Sequence, residues 1–320
     1  MSGTLARALR RLLALELGLY LLAGLWLVRA HGWRPVAAVL AALACALLWR
    51  AAFTLATYAL AWWWRSPVPP PLRVGPLRFL GHVAAETAAL GVAYAVLQPF
   101  ARAWTGAGGA GAQRAPRLPV ILVHGYVCNG AIWRPLARVL RARGESVWAA
   151  DYEPLYGSID GAVPQLAAQV DAALAATGRT RAVLVAHSMG GLVARAYLRA
   201  HGGAKVARVI TLGTPHGGSM HAHLGAGRNA REMEPGSGWL TALAADERAG
   251  LAAPLVALYS QHDNFVAPQV AAAHPRARNV ALAGVGHVAL YRSRAVRAIV
   301  LAEIDAANAA ASEVQAAHQV

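Results

Sequence analysis

The hydroxyl of Ser188 stands in Ala186-His187-Ser188-Met189-Gly190-Gly191, directly after the apolar run AVLVA and directly before the helix-forming stretch LVARAYLRA. A serine at such a strand-to-helix junction sits on a sharp turn, with small residues two positions either side because neighbouring backbone leaves no room for larger ones. Ala186 replaces the first glycine of the GxSxG pattern, a small-for-small exchange. The turn also brings the hydroxyl to a helix N-terminus, where free N–H groups and the helix dipole favour negative charge. The chemistry open to such a group is nucleophilic attack, provided a base removes its proton and an acid orients that base. The plain alternative is a serine that only caps the helix.

Both partners follow in the order this turn requires, serine then acid then histidine. Asp263 lies in SQHDNFVAP after the run LVALYS, and His287 lies in GVGHVAL after NVALAG. Asp151, at the end of SVWAA, is the rival acid. Of the 12 histidines, His124, His187 and His216 lie too close to structural turns to serve as the base, and the others suit surface or packing roles. An oxyanion needs two backbone donors, each worth about 3 kcal/mol. Met189 supplies one, and Tyr126 the other, since His124-Gly125-Tyr126 follows the run VILV and its glycine lets the backbone turn toward a substrate. Taken alone, the His-Gly pair is no more than a turn after a strand.

From Pro119 onward, short apolar runs alternate with helical patterns, the signature of βα units and a parallel sheet. The spacing predicts strands over Val120–Val123, Ser146–Ala150, Ala182–Ala186, Val206–Leu212, Leu255–Tyr259 and Asn279–Ala283. Helices are predicted over Ile132–Arg143, Gln165–Ala176, Gly190–Ala200 and Arg292–Ala307. Loops beyond the carboxyl ends of parallel strands converge, so Ser188, Asp263 and His287 are placed to meet there. Residues 219–253 exceed an ordinary strand connection and are expected to cap the site. Ser237 would N-cap a short helix carrying Trp239, Leu240 and Leu243, either as a lid with an apolar inner face or as a packed accessory helix.

With these residues assembled, the chain from Leu118 to Ala307 resembles bacterial lipases and esterases of the α/β-hydrolase superfamily, in the group with HG, AHSMGG and TPHGG motifs. The last of these is Thr214-Pro215-His216-Gly217-Gly218, which would shape the pocket wall. The resemblance implies an α/β-hydrolase fold in which Ser188, Asp263 and His287 form a triad and Tyr126 and Met189 an oxyanion hole. It implies cleavage of carboxylic esters through an acyl-enzyme. Acyl transfer or thioester cleavage by the same triad is the alternative, and a non-catalytic membrane scaffold with a hydrolase-like domain is the alternative of another class. No cofactor is needed. Several lipases of this group hold a structural calcium through extra aspartates, and no such set is matched here.

The remaining residues are strongly apolar, and they account for a mean hydropathy of +0.39 over the 320 residues. Leu12–Val28 is broken only by Glu16 and follows Arg7, Arg10 and Arg11; it is long for a signal peptide and is read as a retained transmembrane helix. Val36–Trp64, with Arg50 as its only charge and Trp49, Trp62, Trp63 and Trp64 for an interfacial belt, is the second span. Residues 66–76 form a proline-rich connector. Phe79–Phe100 carries an apolar stripe of Val83, Leu90, Tyr94 and Leu97, with His82 and Glu86 together one turn apart, and is either a third span or a helix on the membrane. The arginines ahead of the first span favour a cytoplasmic N-terminus; two spans then leave the hydrolase in the cytoplasm and three put it outside.

The organisation expected is therefore a membrane-anchoring helical region at 1–100, a linker at 101–117, a catalytic domain at 118–308 and a tail at 309–320. The implied setting is a bacterial inner membrane, and the partners are an ester or lipid substrate and the bilayer. A net charge of +15, arginine in all but Lys205, is scattered and lacks a nucleic-acid motif, so attraction to anionic lipid is the reading kept. Cys45 and Cys128 fall in different segments, which speaks against a disulfide framework or a zinc site.

Overall fold

The computed structural model describes residues 3–103 and 117–317; most of the expected linker, 104–116, lies outside the described residues. Two long helices come first, α1 (Gly3–His31) and α2 (Pro35–Trp63), followed by α3 (Pro76–Gly91), which continues as a π-helical turn over Val92–Leu97 and a 3-10 segment over Gln98–Ala103. Three stretches, Gly3–His31, Pro35–Trp63 and Pro76–Ala101, are long and apolar enough to cross a membrane. The first two keep their apolar windows almost wholly uncovered, whereas a third of the last window is buried inside the protein. Between α1 and α2, Arg50 grips Glu16 with both guanidinium nitrogens, at 2.8 and 2.9 Å, and the Tyr20 hydroxyl also donates to Glu16. The charges interrupting the two apolar runs thus neutralise each other.

The rest of the chain alternates strand and helix as its sequence pattern demands: β1 (Val120–Val123), α4 (Arg134–Ala142), β2 (Val147–Ala150), α5 (Ile159–Thr177), β3 (Ala182–His187), α6 (Met189–His201) and β4 (Val206–Leu212). After β4 come two short helices, α7 (Arg228–Glu232) and α8 (Gly238–Asp246), then β5 (Leu255–Ser260), β6 (Arg278–Leu282) and α9 (Arg294–Ala317). The six strands form one sheet in the order β2-β1-β3-β4-β5-β6, and every pairing is parallel. Parallel strands covered on both faces read as continuous apolar runs, and for this reason the strand ends match the sequence pattern to within a residue.

Side chains alternate across the sheet into two cores. Ile121, Val123, Leu184 and Ala186 pack with α5 and α6 on one face, while Val120, Leu122, Val183, Val185 and Leu258 pack with α4 and α9 on the other. Ala89, Leu90 and Ala93, from α3 and its continuation, belong to that second core. Ser237 caps α8 by accepting from the Leu240 N–H, as its sequence implies, and Leu240 and Leu243 are buried, Leu240 in the core that holds α6. That packing is of the accessory-helix kind. Two helices exceed their predicted spans. α5 starts at Ile159, capped by Ser158 and running through Pro164, and α9 continues to Ala317.

Candidate active site

Strand order reverses between β1 and β3, since β1 lies between β2 and β3 although β2 precedes β3 in the chain. Loops leaving the carboxyl ends of two such strands diverge and open a crevice. Val123 of β1 is in register with Ala186 of β3, so His124-Gly125-Tyr126 and Ser188-Met189 leave the sheet side by side at that crevice.

Ser188 has φ +56° and ψ −132°, one of two non-glycine residues with positive φ among those described. Such a conformation costs on the order of 1–3 kcal/mol and persists only where its surroundings enforce it. The enforcement is visible. The Ser188 N–H bonds to the Leu212 carbonyl at 2.9 Å, and the Thr214 hydroxyl donates to the Ser188 carbonyl at 2.8 Å. The two glycines after Met189 are needed for space: a β-carbon on Gly190 would lie 2.5 Å from the carbonyl oxygens of Val123 and His124, and one on Gly191 would lie 2.1 Å from Thr214 Oγ1. Gly125 approaches equally closely, since its β-carbon would sit 2.8 Å from the Ser188 Cβ. The side chain of Ser188 is left partly exposed above these contacts.

Asp263 and His287 come together as the sequence predicts. His287 Nδ1 lies 2.8 Å from Asp263 Oδ2, and Asp263 Oδ1 accepts the N–H groups of Phe265 and Val266, both at 2.8 Å. Both side chains are almost wholly buried. Burial alone would lower the His287 pKa, but the charge and hydrogen bond of Asp263, together with the charge of Glu86, outweigh it and hold the imidazole above its ordinary value. Because Nδ1 faces the carboxylate, Nε2 is the nitrogen left to take up a proton. No hydrogen bond among the described residues joins the Ser188 hydroxyl to His287; catalytic hydrogen bonds in an unliganded site are often long and close in the complex. The residue before Ser188 does touch His287: the His187 ring centroid lies 4.7 Å from that of His287, and its Nε2 lies 2.9 Å from the His287 carbonyl.

The rival acid is elsewhere. Asp151 accepts the Gly130 N–H at 2.7 Å and faces His124 Nε2 at 3.4 Å, so it orders the loop after β1 instead of the base. Burial and the repulsion of His287 lower the His187 pKa to about 3, which keeps His187 neutral and unable to compete as a base carrying charge. His216, also buried, contacts Thr211 and Arg195 inside the domain. Neither Met189 nor Tyr126 spends its backbone N–H on another described backbone group. The Tyr126 phenol donates to the Ala226 carbonyl at 2.7 Å and accepts the Ala226 N–H at 2.8 Å, tying the loop after β1 to the segment ahead of α7.

A family model described as alpha/beta hydrolase fold matches residues 119–235. The mature form of the lipase BlEst2 from Bacillus licheniformis superposes with a TM-score of 0.54 at 20% identity, covering 62% of this chain and 96% of that one. The fold is that of the α/β hydrolases. Two curated relatives, each named triacylglycerol lipase, are 39% identical to this chain over 116 residues; one is from Pseudarthrobacter phenanthrenivorans and one from Burkholderia plantarii. The alignments cover 34% of this chain and 36% and 32% of those proteins, so the chain spans about a third of the length of the curated relatives it matches. Two residues to which the sequence assigned no role at the site lie outside the α/β-hydrolase segment. Glu86 and Thr57 touch the loops bearing His287 and Asp263, and the signal available for Glu86 was an acid set inside an apolar helical stripe.

Proposed function

We propose that this chain is a membrane-anchored serine hydrolase that cleaves carboxylic esters, with Ser188 as nucleophile, His287 as base, Asp263 as its orienting acid and the N–H groups of Tyr126 and Met189 as oxyanion donors. The observation that carries the reading is the buried Asp263–His287 pair in the loops after β5 and β6, together with a strained Ser188 at the β3–α6 turn. His287 Nε2 takes the Ser188 proton as Oγ attacks the ester carbonyl, and the two N–H groups receive the developing charge. The same imidazole returns the proton to the departing alcohol, and a water activated by it then releases the acid. The cleft beside Met189, lined also by His124, Gly125, Tyr152 and Asn229, has room for about one water molecule (about 10 Å³), too little for a long acyl chain without rearrangement of its lining.

We read α1 and α2 as two membrane spans. α2 has 29 residues, which at about 1.5 Å each is about 44 Å, beyond the roughly 30 Å of a hydrocarbon core. Its last turns therefore emerge, and there Thr54, Thr57, Tyr58 and Ala61 are buried against protein. The opposite end of the hairpin returns to the same place: Arg10 donates to the Pro99 carbonyl at 2.7 Å, and Ala6 packs with Leu97 and Ala101. The N-terminus and the hydrolase thus share one side, and Arg7, Arg10 and Arg11 favour the cytoplasmic one. A fluorophosphonate probe tests the enzyme reading: it labels the wild type and not Ser188→Ala, and a folded wild type that stays unlabelled refutes the assignment.

A further inference from the structure

Two side chains of the N-terminal helices, and a backbone group just beyond α2, reach into the loops that carry the acid and the base. Glu86, on α3, is fully buried, and its two oxygens accept the N–H groups of Val288 at 2.9 Å and Ala289 at 2.8 Å, the residues directly after His287. Thr57, near the end of α2, accepts from Asn264 Nδ2 at 2.8 Å, and Asn264 Oδ1 accepts the backbone N–H of His287 at 3.0 Å. Ser66, just beyond α2, donates its N–H to Gln269 Oε1 at 3.0 Å, while Gln269 Nε2 donates to the carbonyl of Asp263 at 3.0 Å. The bonds from Thr57 and Ser66 lead to His287 and Asp263, and those of Glu86 end on the two residues that follow His287.

The loop before His287 is shaped by the same helices. A β-carbon on Gly286 would lie 2.4 Å from Glu86 Oε2 and 2.7 Å from the Tyr58 hydroxyl, and one on Gly284 would lie 2.1 Å from His82 Nε2. The glycines of GVGH are therefore required by contacts with α2 and α3. A carboxylate taken out of water is costly unless its bonds are supplied, and here the N–H groups beside the catalytic histidine supply them. A tether that only held the domain near lipid would need no such group.

We propose that α2 and α3 are part of the catalytic site: Glu86, through the amides of Val288 and Ala289, and Thr57, through Asn264, are positioning residues that hold His287 in register with Asp263. The proposal rests on the serine-hydrolase reading of the same site. A misplacement of about 1 Å at a reacting group costs on the order of a hundredfold in rate, so bonds that fix this loop act on turnover and leave substrate binding alone. The groups facing the His287 imidazole are Asp263 from the loop after β5, Glu86 from α3, His187 at the end of β3 and His221 from the segment after β4. Burial raises the Glu86 pKa to about 7, so above that pH Glu86 joins Asp263 as a second carboxylate favouring the protonated ring.

The test uses the full-length protein in detergent micelles, with p-nitrophenyl butyrate as substrate. E86Q keeps the shape but turns an NH2 toward one of the two amides and removes the charge. The expected result is a kcat about tenfold lower with KM unchanged, and an acid limb of kcat/KM moved to lower pH, because His287 loses a group that favours its proton. An E86Q enzyme with wild-type kcat and an unmoved acid limb overturns the proposal. Should E86Q fail to fold, T57V carries the test: it preserves volume, its kcat falls severalfold with KM unchanged beside a modest fall in Tm because Asn264 Nδ2 loses its acceptor, and a wild-type kcat overturns the proposal. Absence of both turnover and fluorophosphonate labelling in the wild type removes the hydrolase reading and the proposal with it; turnover in the wild type with indifferent variants removes the proposal alone.

Discussion

Replacing Asp263 by asparagine exchanges one oxygen for an NH2 and should all but abolish turnover. The two carboxylate oxygens have separate duties. Oδ1 accepts the N–H groups of Phe265 and Val266, and Oδ2 faces His287 Nδ1. An asparagine must keep its carbonyl oxygen on the two backbone donors, because an NH2 there would oppose both. Its amide nitrogen then occupies the Oδ2 position and donates to Nδ1, which forces the proton of the imidazole onto Nε2. That tautomer cannot take the Ser188 proton. The loss for a triad locked in the wrong tautomer is about 10⁴ in kcat, equivalent to about 5.5 kcal/mol. Steady-state hydrolysis of p-nitrophenyl butyrate in micelles reads the effect, with Tm as the control for folding. A folded Asp263→Asn enzyme that keeps a tenth of wild-type kcat would refute the assignment of Asp263 and of the base it orients.

Three further outcomes follow from the geometry. His287 must be neutral to act as base and its pKa is held above that of an ordinary imidazole, so kcat/KM should fall with acidification through an apparent pKa above 6.5; an acid limb below that value contradicts the Asp263 and Glu86 contributions. Gly190→Ala forces a β-carbon to within 2.5 Å of two carbonyl oxygens and should lower stability by about 1–3 kcal/mol, visible as a reduced Tm, together with loss of activity. In the hairpin of α1 and α2, Glu16→Leu leaves Arg50 uncompensated in lipid at a cost of about 2.5–3.5 kcal/mol, and adding Arg50→Leu should restore most of the lost membrane insertion; a double variant no better than the single one denies the pairing.

The hydrolase segment was legible because its physics is local. Buried parallel strands read as apolar runs, the serine turn announces itself by its small neighbours, and the acid and base follow strands whose ends converge. The choice between Asp263 and Asp151 was not settled by order alone; it took coordinates to show Asp151 spent on Gly130 and His124. α5 begins earlier than its apolar pattern because Ser158 caps it and Pro164 costs only one backbone bond near its start. The stretch after the proline-rich connector posed a deeper difficulty. Apolar helical surface has the same composition whether lipid or protein covers it, so Ala89, Leu90 and Ala93 could not reveal that they belong to a core of the hydrolase segment. Glu86 was the exception, and its meaning depended on amides some two hundred residues further along the chain.

The account depends on covalent catalysis at Ser188, and an acid-quenched reaction examined by peptide mass spectrometry tests that directly. During turnover of p-nitrophenyl butyrate, the peptide containing Ser188 should carry one butyryl group, and the adduct should accumulate further in His287→Ala supplied with a more reactive ester. Full turnover with no acyl adduct on Ser188, or an adduct on any other residue, would contradict it.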